Sequence, residues 1–203
     1  MLLEEEGVEL DRRDEIQSYA GPPELSHSQQ RMWFLQQAEP ENPAYNVCSA
    51  VQWNGPLNID AAQQAIDEIV RRHDVLRWTF PTDEGRPVVR ETPVSNKPIV
   101  TLTTADISQF VQEHEPDHQI AIIADLASEQ ANQPFDLASG PLLRVHLLQL
   151  AAQRHVAILT MHHIVTDGWS MGVFLKEFGE LYHAISNSRS WKTTDLRFNY
   201  SDF

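Results

Sequence analysis

His162 and His163 lie together in the run Met161-His162-His163-Ile164-Val165-Thr166-Asp167-Gly168-Trp169-Ser170, with His163 four residues ahead of Asp167. Imidazole titrates near neutrality, so a ring held at the rim of a cleft can act as a general base or orient an amine. A metal reading fares worse: adjacent histidines cannot easily hold one ion, and no neighbouring cluster of histidine or cysteine supplies partners. The plainer alternative is a pair of satisfied core or turn histidines. Asp167-Gly168 reads as a turn, with Asp167 capping the following helix and Gly168 at positive φ. A buried aspartate must be paired to stay ionised. The best partners on offer are Arg72 and Arg77, in Arg71-Arg72-His73-Asp74-Val75-Leu76-Arg77-Trp78-Thr79-Phe80. The plainer reading of those arginines is a solvated helix end, where cations suit the macrodipole.

The elements that must position these groups are legible in outline. The run His155 to Met161 is apolar and β-prone, and it pairs with Leu142 to Leu150 through a turn at Ala151 to Arg154. Adjacent side chains on a strand point to opposite faces, so one of the two histidines faces the interior and the other a cleft. A helix follows from about Trp169 to Ile185. Earlier, Ser26 or Ser28 caps a helix over Gln29 to Gln37 that carries Met32, Trp33 and Leu35 inward. Asn46 to Trp53 alternates as a strand. Asp60 caps a helix over Ala61 to Arg72 with Ala62, Ala65, Ile66, Ile69 and Val70 on one stripe. Val75 to Phe80 and Arg86 to Glu91 read as strands around the Thr82-Asp83-Glu84-Gly85 hairpin signal, and Ile99 to Thr103 as another. Asp117 to Gln133 reads as a helix with Ile120, Ile123, Ala124 and Ala127 facing in. Pro134-Phe135-Asp136 stops it. Helices alternating with hairpins predict an α+β fold, a mixed sheet with flanking helices, and not a parallel nucleotide-binding sheet. No glycine-rich phosphate loop occurs.

Composition narrows the partners. The chain has 203 residues and a net charge of −14, from 15 Lys+Arg against 29 Asp+Glu. Clustered positive charge is what nucleic acid and anionic membrane require, so neither is expected as a partner. Cys48 is the only cysteine, which excludes an internal disulfide. The expected setting is the cytoplasm, because the acidic start lacks a signal peptide's basic flank and apolar core. Residues 1–22 read as an acidic linker or lead-in, 23–185 as the folded unit, and 186–203 as a connection onward.

Four segments together resemble the condensation domains of non-ribosomal peptide synthetases, within the chloramphenicol-acetyltransferase-like superfamily. Segment 161–171 matches the family's active-site motif: His-His, any three residues, Asp-Gly. Leu25 to Leu35 resembles its opening motif, with His27 where a small or aromatic residue is usual. Arg72 to Phe80 resembles its second motif, with Asp74 where glutamate is more usual and Trp78 where threonine is common. Pro134-Phe135-Asp136-Leu137 followed by Gly140-Pro141-Leu142-Leu143-Arg144 is a further match. The resemblance runs from residue 25 to 203, and Asn199 to Phe203 looks like the start of the next motif.

This resemblance implies the N-terminal lobe of a two-lobed domain, with the active site and its tunnel between the lobes and a missing C-terminal lobe supplying the rest. It assigns the catalytic histidine to His163, acting as base or as a positioning group. His162, Asp167, Gly168, Arg72 and Arg77 would support it, and Trp169 and Ser170 would line the tunnel or simply start the helix. It implies no cofactor and no metal of the domain's own. The substrates would hang from phosphopantetheine arms of donor and acceptor peptidyl carrier domains, beside an adenylation domain in the full synthetase. Phe135-Asp136-Leu137 with Gly140-Pro141-Leu142, together with Asn42 to Asn46, looks most like domains that join two L-configured residues. A cyclisation domain would carry paired aspartates instead. The alternatives are an epimerisation-type domain, a stand-alone coenzyme A-dependent acyltransferase, and a non-catalytic carrier-binding module. The lobe alone is expected to be inactive.

Overall fold

A computed structural model describes Tyr19, residues 21–189 and residues 196–202. The expected lead-in falls mostly outside the described residues, as does part of the stretch after 185. The order of elements is α1 (His27–Ala38), β1 (Asn46–Asn54), α2 (Ile59–Arg72), β2 (Trp78–Thr79), β3 (Thr82–Asp83), β4 (Arg86–Pro87), β5 (Arg90–Glu91), β6 (Leu102–Asp106), α3 (Ser108–Gln112), α4 (Pro116–Asn132), β7 (Leu143–Ala151), β8 (Arg154–His162) and α5 (Gly168–Ser186). The main sheet has the order β1-β8-β7-β6. Strand β8 lies antiparallel to β1 and β7, while β6 runs parallel to β7. That is the mixed sheet expected from the pattern.

Both faces of the sheet are covered. Helix α2 buries Ala61, Ala62, Ala65, Ile66, Ile69 and Val70. Together with Phe174 and Leu181 of α5 they pack on Leu143, Val145, Leu159 and Met161 of the sheet. Each fully buried isoleucine such as Ile66 or Ile69 contributes about 1.5–3 kcal/mol. The opposite parity of β7 and β8, Leu148, Leu150, Val156 and Ile158, packs on Val111 of α3 and on Ile123, Leu126 and Ala127 of α4. A third cluster lies beneath α1, where Trp33 meets Trp78, Phe80, Phe135, Leu137, Leu142, Ile164 and Val165.

Several expectations are corrected. The cap of α2 is Asn58, whose side chain accepts from the Ala61 N–H, and Asp60 sits in the first turn. Helix α1 buries Gln29, Trp33 and Gln36, while Leu35 stays 38% exposed. Ile120 of α4 is 66% exposed, because that helix leans on the sheet through Ile123, Leu126 and Ala127. Asp74–Arg77 forms a 3₁₀ turn where a strand was expected, since Arg77 folds back onto the end of α2. The hairpin turns at Glu84 and Gly85, both at positive φ, but its ladders β2–β5 and β3–β4 are two residues long. The strand expected over Ile99 to Thr103 begins later, at Leu102. The short α3 had no signal of its own beyond Asp106, which accepts from the Ser108 N–H at 2.9 Å.

Candidate active site

Strand parity sorts the two histidines. Along β8, Leu159 and Met161 face α2 and α5, whereas Ile158 packs toward α4 and Thr160 donates to Cys48 Sγ on that side. His162 continues the α4-facing set and His163 the cleft-facing set. His162 is 1% exposed and has Phe135 edge-on, with ring centroids 6.2 Å apart. Its Nδ1 accepts from the Ile164 N–H at 3.1 Å, so the neutral ring carries its proton on Nε2. Burial pushes this ring down to about 4, and the neighbouring His163 adds to the effect. His162 is therefore a neutral structural group at any pH near 7. His163, by contrast, is exposed and lines the cleft, with its backbone N–H donating to the Tyr45 carbonyl at 2.8 Å.

Asp167 is the N-cap of α5. Its Oδ1 accepts from the Ser170 N–H and from the Ser170 hydroxyl, each at 2.7 Å. These bonds, backbone first, hold its carboxyl below the usual carboxylate range, and His163 adds to the shift against a counteracting effect of burial. The expected arginine partner is absent. Among the described residues no arginine lies within ion-pair distance of Asp167. Arg72 reaches Glu177 of α5 at 3.2 Å. Arg77 donates to the Val70 carbonyl at 2.7 Å and the Arg71 carbonyl at 2.6 Å, and pairs with Glu91. Asp167 is exposed and capped, so it never needed a buried counter-ion. Gly168 is also corrected: it is not at positive φ, since it forms the first helical residue of α5. A Cβ built there meets no heavy atom within 4 Å. Trp169 and Ser170 lie in the first turn of α5 and line the cleft. Trp169 is 83% exposed.

The other recognised segments close around this loop. Gln29 of α1 donates from Nε2 to the Ile164 carbonyl at 2.9 Å. Trp33 Nε1 donates to the Phe80 carbonyl at 3.0 Å, and the Phe80 N–H to the Leu137 carbonyl at 2.6 Å. Arg144 donates to the carbonyls of Gln133 and Pro134 and stacks 3.8 Å from the centroid of Phe135. His73 Nε2 meets Glu177 at 2.8 Å, so one carboxylate of α5 takes both Arg72 and His73 from the end of α2. Sequence reasoning missed Gln29 and Glu177. The Ser26-x-x-Gln29 spacing of a capping box pointed to the first, whereas only the packing of α2 on α5 selects the second.

The result is a cleft of about 540 Å³, within the range of small-molecule sites. Its floor is apolar, with Ile69, Met161 and Phe174, and its rim carries His163, Asp167 and Ser170. The chain from 196 to 200 borders it, and there the Tyr200 hydroxyl donates to Ser26 Oγ at 3.4 Å and the Ser201 hydroxyl to Asp74 at 3.2 Å. No cluster of three metal-ligating side chains occurs among the described residues. His114, just before α4, and His118, in its first turn, have His-x-x-x-His spacing but lie outside the cleft lining. None of the helices among those residues is long and apolar enough to cross a membrane.

A family model for the condensation domain matches residues 20–203. The chain belongs to the condensation-domain family. Chondramide synthase of Chondromyces crocatus is 41% identical over 88% of this chain, which spans 4% of that protein. Phosphinothricin tripeptide synthetase PhsC of Streptomyces viridochromogenes is 38% identical over 90% of the chain, which spans 16% of it. Among solved structures, the first condensation domain of the calcium-dependent antibiotic synthetase, in complex with a substrate analogue, is 28% identical with a TM-score of 0.73. That match covers 86% of this chain and 40% of the solved one. The fold is thus the chloramphenicol-acetyltransferase-like fold of condensation domains, and this condensation-domain chain spans well under half of its solved relative.

Proposed function

We propose that this chain is the N-terminal lobe of a condensation domain that forms peptide bonds between carrier-bound thioesters in non-ribosomal peptide synthesis. The observation that carries the reading is the contrast within one dipeptide: His162 buried and neutral, His163 exposed at the rim of the cleft. The free amine of an acceptor aminoacyl group attacks the thioester carbonyl of the donor. The C–N bond forms, the C–S bond breaks, and the donor thiol leaves carrying a proton. The amine loses one proton in the step, and His163 accepts it or orients the attacking nitrogen. An α-amine has a pKa of about 7.7–8.0, so part of it is already neutral. General base catalysis contributes about 10²–10⁴-fold, and positioning as much or more. Asp167, Gly168, Trp169 and Ser170 form the beginning of the helix against which the substrates slide. Gly168 supports this role, because a Cβ added there would meet no heavy atom of the lobe within 4 Å and the space beside the backbone is open to substrate.

The substrates arrive on phosphopantetheine arms of donor and acceptor carrier domains, so the lobe brings no cofactor of its own. A second lobe and an adenylation domain complete the synthetase, in the cytoplasm. The test is a complete domain carrying this lobe, incubated with a donor carrier bearing an aminoacyl thioester and an acceptor carrier bearing another. A dipeptide should appear on the acceptor carrier. Transfer from a free coenzyme A thioester, with none from the carrier, would favour the stand-alone acyltransferase. The 203 residues alone should give no peptide, since His163 is exposed at the rim of the cleft, where water is not excluded.

A further inference from the structure

Gln29 is polar and 1% exposed, so both ends of its carboxamide must be satisfied. Its Oε1 accepts from the Ser26 N–H at 3.0 Å, which closes the capping box of α1. Its Nε2 donates to the Ile164 carbonyl at 2.9 Å, across 135 residues of chain. A donor on one side and an acceptor on the other leave only one orientation of the amide. A carboxylate could not make the second bond. Ile164 is the residue directly after His163 and is 2% exposed, so water is a poor substitute partner for its carbonyl. The rest of the turn is held by His162, whose Nδ1 accepts from the Ile164 N–H and whose carbonyl accepts from the Val165 N–H. We propose that Gln29 is a positioning residue for His163: its carboxamide fixes the Ile164 carbonyl and so sets the turn from which the His163 ring enters the cleft. This inference rests on the condensation reading above. It assigns Gln29 a role that a helix cap alone does not require. The same cap takes the Tyr200 hydroxyl on Ser26 Oγ at 3.4 Å, so α1 joins the histidine turn to the chain that borders the cleft.

Two variants of the complete domain carrying this lobe test the role by single-turnover peptide transfer between loaded carriers. Gln29→Met keeps the volume and loses the donor. It should lower the transfer rate roughly 10–100-fold while leaving the KM for the acceptor carrier unchanged, the mark of a misplaced group. Gln29→Glu is the sharper variant. Near about pH 6 its buried carboxyl, raised by desolvation, is neutral and donates to Ile164, so activity is kept. As pH rises the carboxyl ionises, the bond is lost and the rate falls. The wild type holds or gains over the same range, because its amine nucleophile becomes neutral. Should Gln29→Met not fold, this opposite pH trend decides alone. A Gln29→Met rate equal to wild type, or a Gln29→Glu profile parallel to wild type, overturns the proposal. Amide exchange gives a readout independent of turnover: Gln29→Met, or Gln29→Glu at alkaline pH, should speed exchange at Ile164 and Val165, whose N–H groups are bonded to His162. Unchanged protection there also overturns it. A wild-type domain that joins no carrier-bound substrates would sink the condensation reading, and exchange would then decide the positioning of the turn by itself.

Discussion

Two imidazoles one residue apart differ because strand parity sends one into the core and the other to solvent. The pH dependence of stability should report the buried one. His162 has a folded value of about 4 against an ordinary 6.5. Its folded value is depressed, so between those values the unfolded chain binds a proton that the folded ring refuses. Its contribution is complete above about pH 6.5 and is lost as pH falls toward 4, by roughly 3 kcal/mol. Urea unfolding of the wild type and of His162→Gln at a series of pH values checks this: the variant should lose that part of the slope, and identical slopes would contradict it. Asp167 offers a second residue-scale check. As an N-cap it should tolerate Asp167→Asn with little change in stability, while Asp167→Ala should cost about 0.5–2 kcal/mol. An arginine ion pair would instead make both substitutions costly. Carboxylate capping also weakens on acidification, because the depressed Asp167 value means that its contribution holds above the ordinary carboxylate range and is lost as pH falls through the folded value.

Among the elements, the long periodic ones were legible and the short ones were not. The α2 stripe and the β7–β8 pair carry their own pattern, so their positions follow from it. Chain 73–91 carries strand-like residues, but its shape is set by Arg77, whose guanidinium ties the last carbonyls of α2 to Glu91. Nothing local in the sequence announces that contact. Arg77→Leu should therefore destabilise the fold by about 2–3 kcal/mol in thermal or urea unfolding, because two backbone carbonyls lose a charged donor. Glu91→Gln should change little, since that carboxylate is 41% exposed. Gly140 is a second fixed point. It sits at φ 58°, and a Cβ there would lie 3.0 Å from Thr79 Cγ2. Gly140→Ala should cost about 1–2 kcal/mol and loosen the entry into β7 beneath Phe135.

For the molecule as a whole, the motif residues fall where one cleft needs them. The opening helix, the arginine segment and the Pro-Phe-Asp stretch all touch the loop that carries His162 to Asp167, or the cluster beneath it. The motif text placed His163 at the rim and His162 inside. It misassigned the arginines, because Arg72 and Arg77 are claimed by partners that only the packing of distant elements brings near. It gave no warning of Glu177 for the same reason. The measurement that tests the central claim most directly is single-turnover peptide transfer between two loaded carrier proteins by a complete domain carrying this lobe, with wild type against His163→Ala. Thermal unfolding of the two proteins is followed alongside. The expected result is a loss of about 10²-fold or more in transfer, with unfolding unchanged because His163 is exposed. Transfer at the wild-type rate by a folded His163→Ala domain would contradict the account.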